Sequence, residues 1–134
     1  MGEVVCETFS ISAAAREAGV SVDALRYYER AGLMLGAVER AGSGHRRYSE
    51  RDIRWVVFLT KLRGTGMPIR RMREYAALVR AGSGNEEKRL ALLEEHRRAV
   101  LGQMKDVRRN LEEVEHKISE YRGRVVEVEN SLVR

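Results

Sequence analysis

Between residues 90 and 132 apolar side chains return in a seven-residue repeat, a pattern that fits only a long helix with a partner along one stripe. With Met104 at position a, the a positions are Leu90, Arg97, Met104, Leu111, Ile118, Val125 and Leu132, and the d positions are Leu93, Val100, Val107, Val114, Tyr121 and Val128. Only Arg97 breaks the apolar set. A lone helix with so narrow a stripe is marginal in water, and the pattern before it closes by residue 80, so the expected partner is a second copy of the chain. The expected homodimer seam runs through Leu93, Val100, Met104, Val107, Leu111, Val114, Ile118 and Tyr121. Flanking charges favour antiparallel pairing, because parallel strands would set Lys117 at g against Arg122 at e, whereas antiparallel strands bring Glu94 to Arg108 about a centre near Leu101. A second antiparallel register, centred between Ile118 and Ser119, pairs Glu115 with Arg122 and Arg108 with Glu129, and both overlaps stay open. Gly123 weakens the far end, so the expected division is a coiled-coil helix over 86–122 and a tail over 123–134.

Residues 11–48 carry a different pattern. Ser12 and Ser21 are each placed to cap a helix by accepting a backbone N–H, and Gly19 supplies the left-handed residue that ends the first helix just before the second begins. Two short helices are therefore expected between Phe9 and Glu29, joined as a helix-turn-helix after a flexible terminus over 1–8. Helical phase turns Arg26 and Tyr27 outward, and Val22, Leu25 and one of Tyr28 or Glu29 toward the support. A cation and a hydroxyl then stand where a phosphate or base edge would lie. Gly32, Gly36, Gly42 and Gly44 punctuate the next segment, which fits a two-stranded wing bearing Arg46 and Arg47. Ser49 with Glu50 and Asp52 opens a third helix with Ile53, Val56, Val57, Leu59 and Leu62 at helical spacing, until Gly64 and Gly66 stop it. Pro68, the only proline, suits the first turn of a fourth helix carrying Ile69, Met72, Tyr75, Leu78 and Val79, and Ala81-Gly82-Ser83-Gly84-Asn85 marks the domain boundary.

The charge distribution separates the two parts. Residues 1–80 hold 14 Lys and Arg against 9 Asp and Glu, while residues 81–134 hold 11 of each, so the excess lies with the helix-turn-helix. A basic domain beside a neutral helix points to a polyanion at the first and another purpose at the second. A membrane is a weaker fit, since no long apolar run and no strongly amphipathic basic helix is present. Cys6 is the only cysteine, which excludes an intrachain disulfide and a paired-Cys metal motif, and its expected state is inert. The N-terminus lacks an apolar signal-like region, and a cytoplasmic protein is expected. Glu113 and His116 have the spacing of carboxylate metal sites, yet no complementary carboxylate helices accompany them and His116 falls at outward position f; His96 is a flank residue at g. No Ser/His/Asp or Cys/His set, paired-acid pocket or phosphate loop is evident, so neither an enzyme, a metal site nor a cofactor is expected.

Taken in order, Ile11-Ser12, Gly19-Val20-Ser21, Leu25-Arg26-Tyr27-Tyr28-Glu29, Gly32-Leu33, Gly44-His45-Arg46-Arg47-Tyr48, Asp52, Leu62-Arg63 and Gly66-Met67-Pro68-Ile69 resemble the DNA-binding domain of the MerR family of bacterial transcription regulators. The resemblance implies a mainly α fold, with a winged helix-turn-helix over 9–80 and a long antiparallel dimerisation helix. It also implies regulation by distorting a promoter whose two recognition elements lie too far apart. The implied partners are double-stranded promoter DNA, a second copy of the chain and, indirectly, RNA polymerase, with an unidentified small-molecule inducer. The expected DNA contacts are Ser21, Val22, Arg26 and Tyr27 from the second helix and Arg46, Arg47 and Tyr48 from the wing. Ala14 stands where the family commonly has Leu, His45 replaces a frequent Tyr, and the loop after Leu33 lacks a usual Pro. Metal-sensing members carry Cys near the start of the dimer helix and in a loop after it, and a thiol- or aldehyde-responsive subgroup tends to place one where Lys61 stands; none is present here, so that sensing chemistry does not carry over. With no effector domain evident, an inducer is expected at the dimer seam or between the coiled coil and the head. The alternative is a dimeric scaffold whose helix-turn-helix binds protein, which the basic head argues against.

The seam makes a direct prediction. Changing Leu111 and Ile118 together to Glu places four like charges in a paired interface and is expected to give monomers by sedimentation at micromolar concentration; a persisting dimer would mean that the seam lies elsewhere.

Overall fold

Helix caps and short strands organise the first part of the chain, seen in a computed structural model that describes residues 8–36, 39–40 and 46–133, with residues 39, 40 and 46 described by their backbone alone. Cys6, Gly42, Gly44 and His45 lie outside the described residues, as does the side chain of Arg46. Strand β1 (Thr8–Ser10) leads without a linker into α1 (Ile11–Ala18). The cap of α1 is Ser10 and not Ser12: the Ser10 hydroxyl accepts the Ala13 N–H at 3.2 Å, because the last residue of the strand already has the extended backbone that an N-cap requires. Ser12 lies inside the first turn, exposed. Gly19, at φ 71°, ends α1, and Ser21 caps α2 (Val22–Arg30) by accepting the Ala24 N–H at 3.0 Å.

Strands β2 (Glu39–Arg40) and β3 (Arg46–Ser49) form the wing, and β1 adds to it, giving a three-stranded antiparallel sheet in the order β1-β3-β2. The sequence suggested two strands and a flexible start over 1–8; the third strand is missed because three residues carry no readable period, yet Phe9 pairs directly with Tyr48. Helix α3 (Glu50–Gly64) follows β3 immediately, opened by a reciprocal capping box. Asp52 N–H donates to the Ser49 hydroxyl at 3.1 Å, and the Ser49 N–H donates to the Asp52 carboxylate at 2.9 Å. Pro68 occupies the N-cap of α4 (Ile69–Arg80), one residue before the first turn.

The core is apolar and drawn from β1, β3 and the helices. Leu25, Leu33, Val56, Leu59, Met67, Met72 and Ala76 are almost fully buried. Trp55 stacks on Tyr75 with ring centroids 5.8 Å apart, and its Nε1–H donates to the Leu33 carbonyl at 2.7 Å. Arg73 Nε donates to the Ala31 carbonyl at 2.7 Å, and Arg80 Nη1 donates to the Gly32 and Met34 carbonyls at 2.9 and 2.7 Å. Four consecutive carbonyls leaving α2 are thus all met by side chains of α3 and α4.

Gly82 and Gly84 take positive φ of 90° and 101° in the connection to α5 (Glu86–Val133), which Asn85 braces by donating from Nδ2 to the Leu78 carbonyl at 2.8 Å. Glu86 accepts the Gly84 N–H at 2.9 Å; its own N–H and that of Gly84 hold its carboxyl below the usual carboxylate value. The chain divides into compact units at Met1–Glu94 and Glu95–Arg134, so the first turns of α5 belong with the head rather than beyond a boundary at residues 81–85. Leu92 is buried in the head core and Leu93 packs against it. In the second unit the a and d residues from Met104 to Val128 stand exposed along one stripe, and α5 runs through Gly123 into the segment read from sequence as a tail.

Trp55→Phe removes the donor to a buried carbonyl while keeping a ring in the core. It is expected to lower unfolding free energy by about 1 to 3 kcal/mol in urea titration, with the secondary structure intact.

Candidate nucleic-acid interface

The outer face of α2 is built by the turn that precedes it. Gly19 and the Ser21 cap fix where α2 starts, and helical period then divides its side chains. Leu25 and Tyr28 are buried, Val22 is half-buried, and Asp23, Arg26, Tyr27 and Arg30 are exposed. Tyr27, 42% exposed against 8% for Tyr28, is the outward one of the pair. Ser21 is exposed at the head of the helix, where its hydroxyl oxygen accepts a backbone bond and its O–H proton is still able to be donated.

Arg26 lies 3.8 Å from Asp23, with the two side chains 47% and 93% exposed. An exposed pair at that distance binds weakly, so the guanidinium is free to exchange Asp23 for a phosphate or a base edge. Arg30 stands one turn further along the same face and was not singled out from sequence; its four-residue offset from Arg26 is the signal that finds it. Tyr27, Arg26 and Arg30 together give α2 a cationic, hydrogen-bonding outer surface without a buried charge.

The wing differs from the sequence-based expectation at two of its three residues. Tyr48 is not at the surface: it is 1% exposed, part of the core, and opposite Phe9 in the sheet. Strand alternation explains this, since residue 48 faces the helices when residue 47 faces away. Arg47 is half-buried and turned onto β1, where Nε donates to the Thr8 hydroxyl at 3.0 Å and Nη2 to the Thr8 carbonyl at 2.9 Å. Its first role is to tie the wing to the N-terminal strand. Arg46 pairs by its backbone with Arg40, and its side chain lies outside the described residues.

Among the described residues no group of three or more His, Cys, Asp or Glu is arranged to hold a metal ion, and no helix is long and apolar enough to cross a membrane. His116 lies on α5 within 3.2 Å of Glu120, in an exposed i,i+4 pair.

The model of the MerR HTH family regulatory proteins matches residues 9–78. An HTH-type transcriptional regulator of Haemophilus influenzae is 32% identical over 114 residues, which cover 85% of this chain and 84% of that protein. The crystal structure of a MerR family transcriptional regulator from Listeria monocytogenes has a TM-score of 0.85 at 31% identity, covering 92% of this chain and 93% of its own. HiNmlR, a MerR family regulator lacking the sensor domain and solved bound to promoter DNA, has a TM-score of 0.77 at 32% identity, covering 87% of this chain and 91% of that one.

The geometry of α2 predicts a sequence-reading role for Arg26. Arg26→Ala is expected to weaken binding to a specific duplex by about 1 to 3 kcal/mol in a gel-shift titration, and to affect non-specific duplex much less. Equal losses on both would make Arg26 a phosphate contact.

Proposed function

The chain belongs to the MerR HTH family of regulatory proteins, and from that premise we propose that it is a dimeric transcriptional regulator that acts by reshaping promoter DNA. The observation that carries the reading is the exposed α2 face, with Ser21, Arg26, Tyr27 and Arg30 held outward on a doubly capped turn. In this reading α2 lies in the major groove, Arg26 and Tyr27 reach base edges or phosphates, and Val22 makes the apolar contact at the start of the helix. Arg46 and Arg47 give the wing its charge beside the adjoining backbone. The chain is similar to a regulator solved on promoter DNA, which supports double-stranded promoter DNA as the partner.

Dimerisation follows from α5. An exposed apolar stripe from Met104 to Val128 on a continuous helix is what a second copy would cover, and antiparallel pairing suits the flanking charges. Leu93 sits against the head core and contributes to that seam only at its edge; Val100, Met104, Val107, Leu111, Val114, Ile118 and Tyr121 form its body. The neutral balance of residues 81–134 suits a surface that meets itself and not DNA.

Two heads joined in this way meet two half-sites of an inverted repeat. Where their fixed spacing does not match straight DNA, part of the binding energy goes into kinking or untwisting the centre. RNA polymerase then reads the change indirectly, as a corrected distance between promoter elements. The regulator would occupy its operator with and without the inducing signal.

Shortening the promoter is the test. Deleting one or two base pairs from the spacer between the elements is expected to make transcription high and largely independent of the regulator, as measured by in vitro run-off. A silent shortened promoter, or an operator wholly upstream of the polymerase site, would replace distortion with recruitment or simple repression. A salt-dependent shift of operator DNA tests the protein-scaffold alternative directly, because only binding to the polyanion carries that dependence.

A further inference from the structure

A cavity of about 560 Å³ opens in the head where the sheet, the start of α3 and the end of α4 meet, away from the outer face of α2. Its volume is that of a small-ligand pocket. Among the described residues Arg47, Arg51 and Arg80 line it with a single carboxylate, Asp52, and Leu35 and Val79 supply apolar wall. Asp52 is committed to the capping box, accepting the Ser49 N–H at 2.9 Å. Arg47 and Arg80 are held in place by hydrogen bonds: Arg47 donates from Nε to the Thr8 hydroxyl and from Nη2 to the Thr8 carbonyl, and Arg80 donates from Nη1 to the Gly32 and Met34 carbonyls. Among the described residues this leaves Nη1 of Arg47 and Nε and Nη2 of Arg80 uncommitted, and Arg51 is exposed without a hydrogen bond or ion pair to another of them.

We propose that this cavity binds a small organic carboxylate, its charged end held by the arginines and its apolar part against Leu35 and Val79. A DNA phosphate shares the anionic chemistry, but a phosphodiester brings nothing to fill the apolar wall. Placed guanidiniums with spare donors are suited to a planar carboxylate. The position also has a consequence for the regulator reading, on which it rests. Arg80 secures the chain leaving α2, so an anion that draws on the same guanidinium alters how firmly the recognition helix is held.

The full chain without DNA is titrated calorimetrically with benzoate, hexanoate and, as a small anion lacking an apolar part, inorganic phosphate. Both carboxylates are expected to bind at millimolar concentration or below, with phosphate about tenfold weaker. Arg51→Ala removes an exposed cation and is expected to weaken both carboxylates about tenfold while leaving duplex affinity within about twofold. Val79→Trp, which fills the apolar end, is expected to weaken hexanoate at least as much, with thermal melts confirming that each variant is folded. Absence of carboxylate binding up to about 10 mM, or unchanged binding in folded Arg51→Ala, overturns the proposal. An Arg51→Ala protein that loses DNA affinity and keeps its carboxylate response assigns the arginine to DNA and also overturns it. Failure of the regulator reading is distinguishable, since it appears as loss of all duplex binding by wild type with carboxylate binding intact.

Discussion

The carbonyls of Ala31, Gly32, Leu33 and Met34 determine how α2 is held. These carbonyls belong to the C-cap of α2 and the three residues after it, and in a small domain such groups are costly to bury unpaired. Here Arg73, Arg80 and Trp55 reach across from α4 and α3 to meet all four, three side chains answering for one short stretch of backbone. Guanidiniums suit that place doubly, because the C-terminal end of α2 carries partial negative charge. The aim of the outer face of α2 derives from this inner clamp together with the turn at Gly19 and Ser21 and the buried Leu25 and Tyr28. The stack of Trp55 on Tyr75 makes the clamp a joint property of α3 and α4.

Much of this fold is legible in the sequence wherever a single residue has a single physical use. Gly19 with Ser21, Ser49 with Asp52, and Pro68 each punctuate the chain in the way their chemistry requires. Reading failed where two residues of one type compete or where a role is set by distant partners. Ser10 and Ser12 are equivalent in pattern, and only the strand ending at Ser10 decides between them. Tyr48 reads as a wing residue because it follows two arginines, yet the sheet register opposite Phe9 turns it inward. Arg47 looks free in sequence because its partner, Thr8, is 39 residues away. The clamp is invisible for the same reason, since Arg73 and Ala31 stand 42 residues apart.

The heptad repeat illustrates the opposite limit. Its phase is unmistakable, and the helix it requires is present from Glu86 to Val133. Its beginning is blurred because Leu92, outside the a and d stripe, is drawn into the head core and carries Leu93 toward it. Register is harder still to read. Lys117, counted above against a partner helix, already faces Glu120 of its own helix at 3.2 Å, so a charge assigned to the pairing is partly satisfied locally. Pairs of this kind contribute only tenths of a kcal/mol, roughly 0.2 to 0.5 each, which is too little to choose one overlap over another.

Ser10 and Ser49 each end a strand and begin the next helix, with no residue between. With no linker between them, β1 and β3 are tied directly to α1 and α3 through capped junctions. The conformational entropy of bringing sheet and helices into register is then lost when the domain folds and not when it meets a ligand. In the regulator proposed above, a head ordered in this way would meet the duplex with little slack of its own, and a mismatch in curvature would fall on the duplex.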